Sequence, residues 1–173
     1  MKNIDKIAII AIIFLASLSR LIPHPPNFTP IMAIGFLSGL FLKDIKYVLF
    51  IPIFSMLLSD FALEYFYGFG IHPLMPFVYI GIILCTYIGS KLHSNSKFTK
   101  IILYTFSSSF TFFIISNFGV WLYGYPKTLS GLISCYTLAI PFYKNALAGD
   151  LFYTGSIFGL YILYRQLFRF NYK

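Results

Sequence analysis

Six apolar stretches alternate with short polar segments along the chain, and most of them are long enough to cross a lipid bilayer. A hydrocarbon core of ~30 Å needs about 20 apolar residues in a helix. The pattern therefore predicts six transmembrane helices, of which the second is short. Their predicted ranges are residues 5–22, 31–42, 46–67, 74–91, 99–122 and 143–166.

The segment 128–142 is also apolar, but at about fifteen residues it suits a re-entrant or interfacial helix better than a span. A seventh span at this point would move the cations near the C-terminus to the side opposite most other cations. We therefore expect an all-α integral membrane protein, a bundle of six transmembrane helices with a re-entrant or interfacial helix before the last span.

Positive charges are unevenly distributed between the two sides of the predicted bundle. The side that holds both termini carries Lys2, Lys6, Lys43, Lys46, Lys91, Lys97, Lys100, Arg165, Arg169 and Lys173. The other side carries only Arg20, Lys127 and Lys144. Because Lys and Arg concentrate on the cytoplasmic side of membrane proteins, we expect both termini in the cytoplasm and a multi-pass protein of the cytoplasmic (inner) membrane.

The composition agrees with this picture, since 58% of the 173 residues are hydrophobic and only 10% are charged. We expect a single membrane domain over residues 1–173. Topology accounts for the net charge of +8, so no nucleic-acid partner is expected. Cys85 and Cys135 lack a metal or redox spacing, and His24 and His72 are far apart in sequence. Without a recognisable catalytic, nucleotide or metal motif, we expect no enzyme activity and no cofactor.

The segment from Arg20 to Pro30 is a proline-rich connector between the first two spans, and it contains four prolines. Proline fixes φ and disfavours helix in the residue before it, so the connector should be stiff and non-helical. The charge pattern places the connector on the outer side. We predict that it is a lid over a polar cavity; the alternative is a rigid structural cap.

The remaining polar residues gather at the same outer end of the bundle. Ionisable groups in a bilayer are costly unless paired or hydrated, so their concentration predicts a polar cavity open to the outside. Arg20 is the best candidate to bind a carboxylate or phosphate. The predicted substrate-binding residues are Arg20, His24, Asn27, Asp60, Glu64, Asn117, Trp121, Asn145 and Asp150.

Several of these residues have a structural alternative. Asp60 and Glu64 share a helical face and could bind a cation, a proton or a solute, or could instead neutralise Arg20 and Lys144. Asp150 could contact a solute or pair with Arg20. On the fifth span, the i, i+4 pair Asn117 and Trp121 could form a platform for a ligand. The alternative for the tryptophan is an interfacial aromatic belt.

Small residues on three spans would let helices approach closely in lipid. Those expected to pack inside the bundle are Gly35, Gly39, Gly155 and Gly159. Those expected to form an outward docking face for a partner are Ala8, Ala11 and Ala16.

Two sequence stretches, RLIPHPPNFTPIMAIGFLSG and SNFGVWLYGYPKTLSGLISCYTLAIPFYKNALAGDLFYTGSIFG, carry a family resemblance. In them the chain resembles an uncharacterised family of bacterial membrane proteins described only as transport proteins. The resemblance covers both ends and most of the chain. It implies transport but no particular substrate.

In size, six spans and inward termini, the chain is also similar to the S component, the substrate-binding subunit, of energy-coupling factor transporters. This likeness of architecture implies a solute held near the outer side, with the first connector as a lid. It further implies that small residues of the first helix touch a transmembrane coupling subunit, which works with ATPase subunits.

The sequence therefore favours a membrane transport protein, an S-component-like subunit that captures a small vitamin-like or partly polar solute from outside. One alternative is a stand-alone proton- or ion-coupled carrier, with Asp60, Glu64 and Asp150 as titrating groups. The other is an intramembrane lipid-modifying enzyme that uses His24 or the carboxylates as acid and base.

Overall fold

The computed structural model of the protein describes residues 3–42 and 44–169, without the side chains of residues 3–6, 8, 9, 45, 168 and 169. The described residues form six α-helices and no strand, which confirms the all-helical prediction. A short 3-10 turn (Ser19–Leu21) extends the first helix. The helices are α1 (Asn3–Leu18), α2 (Ile31–Phe41), α3 (Ile45–Tyr67), α4 (Met75–Ser90), α5 (Phe98–Gly124) and α6 (Leu129–Arg169).

Three of the described helices, α3, α5 and α6, are long and apolar enough to cross a membrane. The other three contain apolar segments of 10–17 residues. The structure thus bears out membrane-type helices, while six spans and the side of each terminus remain predictions.

The short helix α2 occupies the centre of the described bundle and contacts each of the other five helices. Every residue of α2 after Ile31 is buried. A helix that is apolar all round can place every face against protein or lipid, and the eleven residues of α2 measure only about 16 Å. The predicted span that is shortest in the sequence is therefore the helix that its neighbours enclose.

Glycines bring α2 and α4 into backbone contact. A Cβ atom on Gly39 would overlap the backbone of Thr86, and one on Gly35 would lie 3.0 Å from the carbonyl oxygen of Ile82. On the other side of the contact, a Cβ on Gly89 would overlap the backbone of α2. Successive positions of α2 meet successive positions of α4, so the two helices run in the same direction. The packing role predicted for Gly35 and Gly39 is confirmed.

The glycines of α6 behave differently. A Cβ atom on Gly155 or Gly159 would meet no atom within 4 Å, so the prediction that these two residues pack inside the bundle is wrong. The buried positions in this part of α6 are Thr154, Ile157 and Phe158. Gly155 and Gly159 lie beside that buried stripe and face away from the other described helices.

Helix α6 also corrects the prediction of a separate re-entrant or interfacial helix over residues 128–142. The helix runs from Leu129 to Arg169 over 41 residues and continues through Pro141. A proline removes one helical hydrogen bond, but the helix is continuous on both sides of Pro141. At about 1.5 Å per residue, α6 measures roughly 60 Å along its axis. The predicted span 143–166 forms the C-terminal part of this single helix.

Alanine at the two kinds of glycine should change stability in opposite directions. Gly39→Ala should lower the free energy of unfolding by about 1–3 kcal/mol, because the added methyl group collides with the α4 backbone. Gly159→Ala should be neutral or stabilising by up to about 1 kcal/mol, because alanine favours helix and the space is open. Thermal unfolding of the purified protein in detergent measures both effects, and equal shifts would contradict the α2–α4 contact.

Candidate functional site

A buried ion pair joins the connector to the helices beneath it. Nη1 of Arg20 lies 2.6 Å from Oδ1 of Asp60, and the two side chains are 11% and 5% exposed. The same Nη1 donates to the hydroxyl oxygen of Ser59, and Tyr79 donates its hydroxyl proton to Oδ2 of Asp60 at 2.9 Å. Of the partners that the sequence left open for Arg20, the structure shows Asp60. The pair ties the end of α1 to α3 and α4.

The connector beyond Arg20 rests on α6. Asn145 donates its amide to the carbonyl oxygen of Pro26 at 3.2 Å. The ring of Phe28 lies 5.7 Å from that of Phe152 and 5.8 Å from that of Tyr153, centroid to centroid. The connector is therefore held by one hydrogen bond and by aromatic packing at this side.

Beneath the connector lies a cavity of about 630 Å³. Its wall is formed by the connector, by α2 to α6 and by the loops that follow α3 and α5. Five predicted site residues line it, namely Arg20, His24, Asn27, Asn117 and Asp150. Asn27 has a φ of 63°, in the left-handed region that asparagine tolerates better than most residues.

Four predicted site residues are not part of this wall. Asp60 acts through Arg20, and Asn145 holds the connector as described above. Glu64 accepts a hydrogen bond from the backbone N–H of Ile71 at 3.0 Å, so it fixes the loop between α3 and α4. Trp121 donates its ring N–H to the carbonyl oxygen of Pro126 at 3.0 Å and fixes the turn between α5 and α6.

Other polar residues of the wall were absent from the predicted set. They are Thr29, His72, Ser109, Ser116, Tyr125 and Tyr143. The signal that could have found several of them is helical periodicity. On α5 the wall residues are Ser109, Phe112, Phe113, Ser116, Asn117 and Val120, which recur every three or four residues.

Most of the cavity wall is apolar. Its aromatic part is built by Phe112 and Phe113 of α5 and by Phe142 and Tyr143 of α6, with ring centroids of Phe113 and Tyr143 4.7 Å apart. Methionine, leucine and valine side chains contribute further apolar surface. An apolar cavity with a few convergent polar groups is the usual form of a small-molecule site.

Asp150 is the carboxyl group of the wall that has no basic partner. It is 2% exposed, and its Oδ2 has no hydrogen-bond partner. The hydroxyl oxygen of Ser109, on the facing helix, also lacks a partner. The one salt bridge between described residues is that of Arg20 and Asp60. Accordingly, no described Lys, Arg or His nitrogen lies within 4 Å of the Asp150 carboxylate. A buried carboxylate is costly without a partner, so Asp150 is the wall residue that gains most from a bound partner.

The residues present do not form a metal centre. Within residues 3–42 and 44–169, His, Cys, Asp and Glu make no group of three or more that could hold a metal ion. Cys85 and Cys135 are both buried free thiols, and only Cys135 lines the cavity.

Fold and cavity together define an all-helical protein that combines membrane-type helices with an internal pocket of small-molecule size. The chain belongs to DUF6580, a family of unknown function whose model matches residues 1–171. Neither the curated proteins nor the solved structures give a match to it.

The ion pair yields a prediction about stability. Asp60→Asn should destabilise the protein by about 3–5 kcal/mol, because Arg20 would keep a buried charge without its counter-charge. The double variant Arg20→Met/Asp60→Leu should be less destabilised than this single variant, since both charges of the pair are removed together. Thermal unfolding in detergent tests both, and Glu64→Gln is the control that removes a nearby carboxylate outside the pair. A double variant less stable than Asp60→Asn would contradict the assignment.

Proposed function

We propose that this protein is a membrane solute-binding subunit, similar in role to the S components of energy-coupling factor transporters, which captures a small vitamin-like or partly polar solute. The observation that carries the proposal is the cavity of about 630 Å³ beneath the connector. Small-molecule pockets generally measure about 300–1,000 Å³ and combine an apolar wall with a few polar groups. Arg20, His24, Asn27, Asn117 and Asp150 supply such groups here.

The proposed orientation is six spans in the cytoplasmic membrane, with both termini inside and the connector outside. The charge distribution supports it, because ten of the thirteen cations fall in segments that the sequence assigns to the side opposite the connector. In the structure, Arg165 near the end of α6 donates a hydrogen bond to Asn95 at 3.0 Å. The C-terminal part of α6 thus lies beside the loop that carries Lys91 and Lys97.

The connector has the contacts expected of a lid. Its root is held by the buried pair of Arg20 and Asp60. Next to this root, Tyr67 of α3 donates its hydroxyl proton to the carbonyl oxygen of Leu21 at 3.2 Å. Further along, the connector is held by the hydrogen bond from Asn145 and by the packing of Phe28. These latter contacts contribute roughly 1 kcal/mol each, so the connector can lift from α6 at modest cost while its root stays in place.

Energy for uptake would come from a transmembrane coupling subunit and ATPase subunits. Ala11 is exposed on α1, and Ile7 and Leu15, one turn to either side, are 67% and 64% exposed. We assign this outward face to the coupling subunit. Ala16 is half-buried against the core and contributes less to it, and the side chain of Ala8 lies outside the described residues.

Filling the cavity provides the direct test. Purified protein should retain a small molecule that native mass spectrometry detects. Ala146→Trp, which places an indole in the cavity, should remove that molecule. Ala148→Trp is the matched control, because Ala148 is exposed two residues further along the same helix. Loss of the molecule in both variants, or retention in both, would contradict binding in this cavity.

A second candidate is the stand-alone proton- or ion-coupled carrier, and the unpaired Oδ2 of Asp150 favours it. Of the three carboxylates considered for this role, Asp60 is paired with Arg20 and Glu64 is engaged by Ile71. Asp150 is therefore the group available to bind and release a proton in the membrane.

Vesicles distinguish the two candidates. The co-purified solute is added to vesicles that contain only this protein, and a pH gradient is imposed. A carrier should accumulate the solute, and Asp150→Asn should reduce the accumulation by at least tenfold because the amide cannot carry the proton. A binding subunit should accumulate none, whatever the residue at this position. Uptake that persists in Asp150→Asn would rule out Asp150 as the coupling group.

A further inference from the structure

One acidic side chain of the cavity wall has no counter-charge. Among the described residues of the wall, Arg20 and Asp150 are the basic and the acidic side chain. The charge of Arg20 is balanced by Asp60, whose oxygen lies 2.6 Å from it. The carboxyl group of Asp150 has no basic partner among the described residues. A positive charge that enters the cavity would therefore find its counter-charge at Asp150.

We infer that the solute of this cavity is a small organic cation, with a positively charged nitrogen at Asp150 and an apolar or aromatic body. The inference rests on the proposed solute-binding function and specifies its substrate class. It differs from the expectation that Arg20 selects a carboxylate or phosphate, because the charge of Arg20 is already matched by Asp60 at 2.6 Å.

The immediate surroundings of Asp150 suit a nitrogen cation. Its carboxylate oxygen Oδ2 is a buried acceptor without a partner, and the buried hydroxyl of Ser109, which can both donate and accept, also has a free lone pair. A protonated amine carries several N–H donors and no acceptor, so it can satisfy such acceptors together. An anionic group at the same place would be repelled by the carboxylate and would leave it unpaired. The described lysines nearest in sequence, Lys127 and Lys144, are exposed and lie outside the wall.

The aromatic part of the wall also favours a cationic solute. Phe113 and Tyr143 line the cavity beside Ser109 and Asp150 on the two facing helices. Ring faces attract cations, most strongly when water is excluded. The same rings provide flat apolar surface for the body of the solute. Carboxylate and aromatic rings thus favour one class of ligand, a cation with an apolar or aromatic body.

Three indole probes of similar size and different charge test the inference: tryptamine, tryptophol and indole-3-propionate. Each is titrated into the full-length protein in detergent, freed of co-purified solute, and binding is followed by saturation-transfer NMR. Tryptamine should bind at least tenfold more tightly than tryptophol, and indole-3-propionate should bind most weakly. Asp150→Asn should abolish the preference for tryptamine and leave the affinity for tryptophol within about threefold, which also shows that the variant is folded.

Asp44→Asn is the control, because Asp44 is exposed at the start of α3 and outside the cavity wall. It should keep the preference for tryptamine. Equal affinity for the three probes, tighter binding of the anion, no binding of any probe, or a preference that survives Asp150→Asn would each overturn the inference. The proposed binding function would still stand if the co-purified solute proved neutral or anionic and were lost in Ala146→Trp, so the two ideas can fail separately.

Discussion

The buried pair of Arg20 and Asp60 is the interaction on which the cavity depends. It connects the end of α1 to α3, and Tyr79 adds α4 through its hydrogen bond to the same carboxylate. Two charges removed from water are stable together only while both stay paired and hydrogen-bonded. The three helices must therefore keep their relative positions for the pair to persist. This requirement fixes the root of the connector, and with it one wall of the cavity.

The centre of the bundle imposes a second constraint, because α2 is short and buried on every side. Backbone contact through Gly35 and Gly39 fixes its position against α4. The first residues of α2, Ile31 and Met32, line the cavity, and its later residues belong to the core. The connector is thus held between two rigid points, Arg20 before it and α2 after it. Only the segment between them is free to act as the proposed lid.

The sequence predicted the helices well because an apolar run in a membrane-type chain has few alternatives to a helix. It predicted the site less well. It left open whether Arg20 pairs with Asp60, with Asp150 or with a ligand, since the choice depends on how helices pack and not on spacing. The sequence did not predict the contribution of α6 to the cavity wall, because it placed a boundary between two helices at residues 142 and 143. Its wall residues Cys135, Leu138, Ala139, Phe142, Tyr143, Ala146 and Asp150 share one face only in a continuous helix.

The three carboxylates that the sequence grouped together separate into three roles. Asp60 stabilises the packing of helices, Glu64 holds a loop, and Asp150 is left unpaired at the cavity. An unpaired buried carboxylate destabilises the empty protein, so any species that neutralises it stabilises the occupied one. A carrier would use a proton for this, and a binding subunit would use the nitrogen of its solute. Asp150 therefore has a role in the carrier and in a subunit that binds a cationic solute, and the two differ there in which positive species reaches it.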